Sequence, residues 1–286
     1  MKKILILGAN GYIGFSLARE LVKNQSYELF GSYHRAPVAL PGMHVVRLDS
    51  GSIREAIQAV EQVKPDSIIT CLIDRGGDFD RQFKFDQNLA LYSKETGCSV
   101  NFCSTANAVI KERSGPYYED CRPDPDCDYG AYKAKCEAMY LEEIPQNVCI
   151  MRLPQIWGEH SRHLAGLLTA IKSGEELTLY PNLFLNFNTD AMLARQIHFL
   201  LDHPLAGIIH LATTGAISHK EFILQVLSGL GYSGLRYEEN PNVNGNIALY
   251  SRKTAGFPKE LNLSNNEMID RMIKEMNQRI DLATQG

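Results

Sequence analysis

Residues 1–14 read MKKILILGANGYIG, an apolar run that stops at a cluster of glycines. A short apolar run bounded by glycine is typical of a buried strand. From residue 12 to about residue 24, apolar side chains recur at helical spacing, at Ile13, Leu17, Leu21 and Val22. The stretch therefore predicts a strand, a glycine-rich turn and a helix, in that order.

The turn has one more residue before its second glycine than the commoner Gly-x-Gly-x-x-Gly pattern. Bare backbone at such a turn lets phosphate oxygens approach, and the helix that follows offers unpaired N–H groups and a positive dipole end. Such a turn also serves simple packing, but its place between the first strand and the first helix favours nucleotide binding. The residues expected to contact a dinucleotide here are Gly8, Asn10, Gly11, Tyr12, Ile13 and Gly14.

The overall composition is that of an ordinary globular protein. The chain has 286 residues, 44% of them hydrophobic and 22% charged, enough for one large or two modest domains. Its net charge of -4 gives no reason to expect nucleic acid as a partner. Its apolar runs fall far short of the ~20 residues of a membrane span, and the first is too short for a signal peptide.

The seven cysteines are scattered without Cys-x-x-Cys pairs. This pattern suits reduced thiols in a cytoplasmic protein better than a disulfide framework or a metal site. We therefore expect a cytoplasmic protein with no metal and no nucleic-acid or membrane partner.

Apolar runs alternate with helical patterns through the first half of the chain. That rhythm is typical of βαβ units, which build a doubly wound parallel sheet (a Rossmann fold) with helices on both faces. Right-handed crossovers bring the carboxyl ends of the strands to one edge, where ligands bind. The candidate strands are residues 3–7, 28–33, 44–47, 67–72, 99–104 and 147–152, and the candidate helices are residues 12–24, 52–63, 79–96 and 129–143.

The sequence pattern changes after residue 152, where prolines and glycines separate short apolar segments. The later part predicts helices over residues 189–203, 218–230 and 265–279, and one more buried strand over residues 207–211. We expect an α/β cofactor domain over residues 1–153, rejoined by about 186–212. A smaller α/β substrate lobe would come from residues 154–185 and 213–286.

Three side chains have the chemistry that reduction of a carbonyl requires. Thr105 lies just past the fifth strand, and Tyr129 and Lys133 follow four residues apart on one face of a helix. Hydride reduction needs a proton donor to the developing oxyanion, and we expect Tyr129 to be that donor. We expect Thr105 to hold the substrate oxygen. Lys133 is expected to lower the pKa of Tyr129 by about 2–3 units and to bind the cofactor ribose.

The spacing of Tyr129 and Lys133 indicates a catalytic pair only because of where the two residues lie in the chain. A chain of this composition contains roughly 0.6 pairs of that spacing by chance. This pair follows Thr105 on the helix after the strand whose end should lie beside a nicotinamide.

Taken together, the glycine turn, Ser104-Thr105 and Tyr129-x-x-x-Lys133 resemble the extended short-chain dehydrogenase/reductase family of NAD(P)-dependent epimerases and dehydratases. The similarity is closest to its dTDP-4-dehydrorhamnose reductase branch and covers about the first 160 residues. Residues 152–158 are similar to the family segment that leads into the substrate domain. The resemblance implies that Asp49 binds the adenine, and the other positions that it places at the cofactor are Cys71, Leu72 and Pro154.

Several stretches depart from the family pattern. Residues 70–72 read TCL where the family usually has Asn-Ala-Ala, and Ala106-Asn107 follows Thr105 where rhamnose-pathway reductases have Asp-Tyr. The missing acid pair after Thr105 argues against a 4,6-dehydratase. The C-terminal Arg-Pro-x-Asn-Ser signature is reduced to residues 240–244, without its arginine, so the sugar is left open.

The end of the second strand, residues 31–35, bears on the choice of cofactor. An NAD site usually has a carboxylate there to hold the ribose 2′-hydroxyl, and we expect no acid within reach of this stretch. Arg35, with His34 beside it, is suited to bind a 2′-phosphate, and the less favoured alternative is that Arg35 is a solvated loop residue. We expect NADP(H) rather than NAD(H).

The expected function is an NADPH-dependent reductase of a carbonyl group on a nucleotide-linked sugar. Its partner would be that small molecule, and a homodimer is left open. A sugar-nucleotide epimerase that retains NAD uses the same Tyr/Lys pair and stays an alternative. A second alternative is a non-catalytic NADP(H)-binding regulatory protein or sensor, as in the β subunit of methionine adenosyltransferase.

Overall fold

The computed structural model describes residues 1–37, 39–49, 52–74 and 76–284. A seven-stranded, mostly parallel sheet dominates the first half of the chain. Numbered in chain order, its strands lie side by side as β11 (Gly207–His210), β6 (Val148–Leu153), β5 (Ser99–Thr105), β4 (Ser67–Thr70), β1 (Lys2–Leu7), β2 (Tyr27–Tyr33) and β3 (Met43–Arg47).

β1 pairs in parallel with β2 on one side and with β4 on the other. The chain therefore builds the sheet outward in one direction and then in the other, and the switch point lies between β1 and β4. In sheets of this order, ligands bind at the carboxyl ends of the strands around that point. The doubly wound α/β fold predicted from the sequence is confirmed.

Helices cover both faces of this sheet. The helices are α1 (Tyr12–Leu21), α2 (Ile53–Val63), α3 (Phe79–Thr96), α4 (Asp128–Glu143) and α6 (Asp190–Asp202). Leu5 and Leu7 of β1 belong to one buried cluster with Val60 of α2 and Phe85 of α3. Because side chains alternate along a strand, Ile4 and Ile6 face the opposite side, where α1 packs against α6.

The chain divides into two compact units. The first unit comprises residues 1–109, 122–152 and 190–209, and the second comprises residues 110–121, 153–189 and 210–286. The sequence had assigned residues 110–121 to the cofactor domain, whereas they lie in the second unit.

The second unit contains short strands and three helices within the described residues. Phe222 is fully buried in it, and the centroid of its ring lies 4.8 Å from that of Trp157 and 4.5 Å from that of Phe187. The elements are β7 (Gln155–Trp157), α5 (Arg162–Lys172), β8 (Leu177–Leu179), β9 (Leu183–Leu185), β10 (Phe187–Thr189), β12 (Ile217–Ser218), α7 (His219–Gly229), β13 (Tyr237–Glu239), β14 (Gly245–Asn246) and α8 (Asn265–Thr284).

Two predicted elements end earlier than expected, for local reasons. The strand predicted over 67–72 ends at Thr70, because the carbonyl oxygen of Leu72 accepts from the side chain of Gln82 instead of a neighbouring strand. The helix predicted over 12–24 ends at Leu21, where the amide of Asn24 turns back to bond three residues earlier. Short 3₁₀ helices at Ala106–Ala108, Thr254–Gly256 and Lys259–Leu261 complete the fold. None of the helices in the described residues is long and apolar enough to cross a membrane.

Candidate active site

The turn between β1 and α1 brings backbone atoms very close together. A Cβ atom on Gly14 would lie 2.2 Å from the carbonyl oxygen of Gly8, so glycine alone fits at position 14. The amide of Gly11 donates to the same oxygen at 2.9 Å. The first turn of α1 contains no acidic residue, which leaves the positive end of its dipole uncompensated. These features suit a phosphate group.

A cleft of about 920 Å³ opens at the switch point of the sheet. Its floor is the glycine turn, and side chains join that turn to the end of β2. The amide of Gly8 donates to the Oγ of buried Ser32 at 2.9 Å, and Nδ2 of Asn10 donates to the carbonyl oxygen of Ala36. The volume and the mixed lining are those of a site for a ligand of dinucleotide size.

An acid approaches the end of β2 from the neighbouring strand. Oδ1 of Asp49, just after β3, lies 3.4 Å from Nε2 of His34, and both residues line the cleft beside Arg35. The sequence-based expectation that no carboxylate reaches this point is therefore wrong. It failed because β3 is the neighbour of β2 in the sheet, a pairing that residues 31–35 alone do not reveal.

Sequence reasoning missed two side chains of α3 that hold the loop after β4. Gln82 donates from Nε2 to the carbonyl oxygen of Leu72 at 2.9 Å and accepts at Oε1 from the amide of Asp74 at 2.6 Å. Arg81, which lines the cleft, donates to the carboxylate of Asp74. The amide of Gly76 and the Arg81 guanidinium hold the pKa of Asp74 below its ordinary value. The available signal was that both residues stand in the first turn of α3, which follows this loop.

β5 ends at Thr105, which is buried at the beginning of the 3₁₀ helix Ala106–Ala108. The amide of Asn107 donates to Oγ1 of Thr105 at 3.3 Å. A Cβ atom on Gly130 would lie 2.2 Å from the carbonyl oxygen of Asn107, so α4 packs directly on this short helix. That close approach brings Tyr129, the residue before Gly130, next to the segment that carries Thr105.

Lys133 is 2% exposed and is held by the same strand end. Its Nζ donates to the carbonyl oxygen of Cys103 at 2.8 Å and lies 4.2 Å from the ring centroid of Phe102. The same Nζ lies 5.9 Å from the ring centroid of Tyr129. The two predicted partners therefore share one neighbourhood, with the ammonium anchored to the backbone of β5.

Burial raises the pKa of Tyr129 above its ordinary value, and the positive charge of Lys133 offsets part of that rise. The expectation that Lys133 gives Tyr129 a lowered pKa is wrong for this structure, because desolvation of the phenol outweighs the attraction of the ammonium. A phenol with a raised pKa is protonated at neutral pH. Protonated tyrosine is the form that donates to a carbonyl oxygen.

A buried ion pair stands behind the site. Nη2 of Arg152 lies 2.7 Å from Oε2 of Glu137, and both side chains are at most 2% exposed. The Oγ of Ser104, next to Thr105, donates to the same carboxylate. Glu137 therefore joins α4, β5 and β6 where the candidate catalytic residues lie.

A model of the NAD dependent epimerase/dehydratase family matches residues 4–184. The matched region contains the glycine turn, Thr105 and the Tyr129/Lys133 pair. The chain belongs to this family. The resemblance inferred from the sequence motifs is thereby confirmed, and the nicotinamide dinucleotide is the cofactor class that the family name states.

One curated protein that is similar to this chain is, by its name, a subunit of an enzyme. Methionine adenosyltransferase 2 subunit beta of Danio rerio is 26% identical over 226 residues, which are 73% of this chain and 68% of the relative. A curated relative of the same name matches over 48% of its own length. The chain thus spans between about half and about two thirds of these relatives.

Two solved structures share the fold. The dTDP-4-dehydrorhamnose reductase of Bacillus anthracis str. Ames, in complex with NADP, has a TM-score of 0.77 at 22% identity and covers 96% of this chain and 99% of its own. The dTDP-glucose 4,6-dehydratase of that strain, in complex with NAD, has a TM-score of 0.81 at 14% identity, with 97% of both chains covered. Identities this low establish the common fold alone.

Most of the predicted cofactor residues of this epimerase/dehydratase family member line the cleft. Tyr12, Ile13 and Gly14 do not; the side chain of Tyr12 lies near Asp190, and burial and that carboxylate raise its pKa. Pro154 belongs to the second unit, and its role stays a prediction. The predicted residues that line the cleft are Gly8, Asn10, Gly11, His34, Arg35, Asp49, Cys71 and Leu72.

No group of three or more His, Cys, Asp or Glu side chains in the described residues is arranged to hold a metal ion.

Proposed function

We propose that the protein is an NADPH-dependent reductase of a carbonyl group on a nucleotide-linked sugar. The observation that supports the proposal is the position of the Lys133 ammonium. Its Nζ is bonded to the carbonyl oxygen of Cys103, two residues before the strand end at Thr105, and lies 5.9 Å from the ring centroid of Tyr129. A protein that only binds a dinucleotide could use the ammonium of Lys133 to hold the ribose, but it has no need of the half-buried phenol of Tyr129 there.

The cleft fits a dinucleotide on grounds of shape and charge. The close-packed glycine turn and the uncompensated N-terminus of α1 suit the pyrophosphate. We assign the 2′-phosphate of NADP(H) to Arg35, because a guanidinium binds phosphate through two parallel hydrogen bonds. Asp49, the acid that reaches this edge, lies 3.4 Å from the imidazole of His34, which gives its carboxylate a partner other than a ribose 2′-hydroxyl.

A bound nicotinamide dinucleotide would supply the hydride. Residues of the chain itself would bind the carbonyl oxygen of the substrate and supply the proton. Tyr129 is protonated at neutral pH, as a tyrosine is unless its pKa is strongly lowered, and burial raises its pKa. Its Oη therefore donates a proton to the carbonyl oxygen as negative charge develops there. The ammonium of Lys133 stabilises the phenolate that remains, and Oγ1 of Thr105 donates a second hydrogen bond to the same oxygen.

The substrate class is supported by similarity and by what the site lacks. The NADP-bound relative by fold is named as a reductase of a dTDP-linked keto sugar. A dehydratase needs an acid near the threonine, and the two residues after Thr105 are Ala106 and Asn107. A cytoplasmic location stays a prediction, consistent with the thiol state of all seven cysteines.

The test is NADPH oxidation, followed by absorbance, against a panel of nucleotide-linked 4-keto sugars. The wild-type protein is compared with Tyr129→Phe, and with Tyr237→Phe as a control on an exposed tyrosine of the second unit. We expect Tyr129→Phe to lose about 10²- to 10⁴-fold in kcat while its Kd for NADPH stays unchanged. Undiminished turnover in Tyr129→Phe would contradict the assignment of the proton donor.

A second candidate function is favoured by the similarity to methionine adenosyltransferase 2 subunit beta. In that case the protein binds NADP(H) and regulates a partner enzyme without turnover. This function would be supported if the protein binds NADPH tightly but oxidises none with any sugar of the panel. Tyr129→Phe should then change neither NADPH oxidation nor the Kd for NADPH. An epimerase would instead interconvert its sugar without net oxidation of NADPH, which analysis of the products by chromatography detects.

A further inference from the structure

Two cysteines face each other across neighbouring strands beside the cleft. The Sγ atoms of Cys71 and Cys103 lie 3.6 Å apart. β4 and β5 pair in parallel, and their register runs from Ser67 opposite Ser99 to Thr70 opposite Phe102. Continued by one residue, that register sets Cys71 directly opposite Cys103.

This register suits a disulfide. Neighbouring strands lie roughly 4.8 Å apart, and disulfides join residues whose Cα atoms are about 4.4 to 6.8 Å apart. The two sulfur atoms already touch, so bond formation requires only a small rotation of the side chains.

We propose that Cys71 and Cys103 are a redox modification site, an oxidisable dithiol pair that hydroperoxides reach through the nucleotide cleft. Cys71 lines that cleft and is partly exposed, whereas Cys103 is buried behind it. The route for a small oxidant therefore leads to Cys71 first.

The surroundings favour a thiolate within the pair. The hydrogen bond between the two thiols and the nearby charge of Lys133 lower the pKa of Cys103, whereas the same hydrogen bond and burial raise the pKa of Cys71. The thiolate is the reactive form of cysteine. Lys133, bonded to the carbonyl oxygen of Cys103, is the cation that stabilises it.

The reaction balances with one hydroperoxide. The thiolate of Cys103 takes the proton of Cys71 as the sulfur of Cys71 attacks the peroxide, the O–O bond breaks, and a sulfenic acid forms on Cys71. The departing oxygen takes the proton back from Cys103 and leaves as one water or alcohol, so that Cys103 is again a thiolate. The sulfur of Cys103 then attacks Cys71, the S–O bond breaks, and the second oxygen leaves as water. Two thiols have lost two electrons and two protons, and the peroxide has been reduced.

The consequence for the site depends on the proposed function. If NADPH occupies the cleft, it covers Cys71 and slows oxidation. The disulfide would also fix the segment between Cys103 and Thr105, to which Lys133 is bonded. Nucleotide and oxidant would then compete for one face of the site.

The experiment treats the full chain with hydrogen peroxide, with and without NADPH, and then alkylates the remaining thiols. Intact mass reports the loss of two hydrogens, and peptide mapping identifies the linked pair. We expect a Cys71–Cys103 peptide from wild type and none from Cys71→Ser or Cys103→Ser. A Cys98→Ser control, which alters a buried thiol elsewhere in the first unit, should still form it. At an NADPH concentration about ten times its Kd, the rate should fall roughly tenfold.

The outcomes separate this proposal from the proposed function. Exposed Cys127 serves as an internal indicator that peroxide has acted. If Cys127 is oxidised while Cys71 and Cys103 stay reduced, the dithiol pair is refuted. If calorimetry shows bound NADPH and the disulfide still forms at the same rate, the route through the cleft is refuted. If the disulfide forms but NADPH does not bind, the oxidisable dithiol pair is supported and the proposed cofactor is refuted.

Discussion

Nζ of Lys133 donates a hydrogen bond of 2.8 Å to the carbonyl oxygen of Cys103. The contact fixes a buried positive charge at the end of β5, two residues before Thr105. Because the ammonium is tied to the backbone, its distance from Tyr129 is set by the packing of α4 on β5. The arrangement explains why Lys133 moderates the pKa of Tyr129 without reversing the effect of burial.

Replacement of Lys133 by methionine tests that role. Lys133→Met keeps the length of the side chain and removes its charge, so the pKa of Tyr129 should rise further, since the one charge that lowers it is lost. We expect kcat to fall by about 10²-fold or more on the substrate that the panel identifies. Lys135→Met, an exposed position on the same helix, is the control and should keep normal turnover. Normal turnover in Lys133→Met would refute the role of the ammonium.

Arg35→Gln tests the choice of cofactor. Loss of the guanidinium removes a charged hydrogen bond to the 2′-phosphate, so the Kd for NADPH should rise by roughly tenfold, less than for a buried pair because Arg35 is exposed. The Kd for NADH, which lacks that phosphate, should stay the same. Isothermal titration calorimetry measures both, with Arg54→Gln on the exposed face of α2 as the control. Equal binding of NADH and NADPH by the wild type would contradict the assignment.

Glu137→Gln tests the buried ion pair behind the site. The change leaves the Arg152 guanidinium buried without its counter-charge, so the free energy of unfolding should fall by about 3–5 kcal/mol. Glu142→Gln, an exposed position on the same helix, should change it by less than ~0.5 kcal/mol. Urea unfolding at neutral pH measures both. A Glu137→Met/Arg152→Met double variant should recover much of the free energy of unfolding that Glu137→Gln loses. If the double variant is instead less stable than Glu137→Gln, the two charges themselves stabilise the fold.

The strand, turn and helix of the first unit were predictable because their signals are local. Gly14 is dictated by its contact with Gly8 six residues earlier, and helical spacing identifies α1 without reference to the rest of the chain. The four-residue spacing of Tyr129 and Lys133 is local as well, so their common face could be predicted. Most of the candidate site residues could therefore be predicted from short stretches of sequence.

What could not be predicted depends on strand order and on burial. The approach of Asp49 to His34 needs β3 beside β2, and the contact of Cys71 with Cys103 needs the register of β4 against β5. The pKa of Tyr129 depends on desolvation, which no motif reports. Each of these features comes from residues distant in sequence.

The stability of the fold at alkaline pH gives a last test. Burial raises the pKa values of Tyr140, Tyr132 and Tyr92 in the folded chain, whereas an unfolded tyrosine titrates near ~10. Below pH ~10 both states are protonated and this contribution is fully present. Above it the unfolded chain releases protons that the folded chain keeps, so the free energy of unfolding must fall as pH rises, by up to about 1.4 kcal/mol per pH unit for each such tyrosine.

Tyr140→Phe removes the phenol that donates to Asp86 at 2.9 Å, so the fall in the free energy of unfolding with pH should be less steep, by up to about 1.4 kcal/mol per pH unit. Tyr237→Phe, at an exposed site, is the control, and urea unfolding at a series of pH values gives both slopes. A slope that is unchanged in Tyr140→Phe would mean that this phenol ionises in the folded protein as readily as in the unfolded chain.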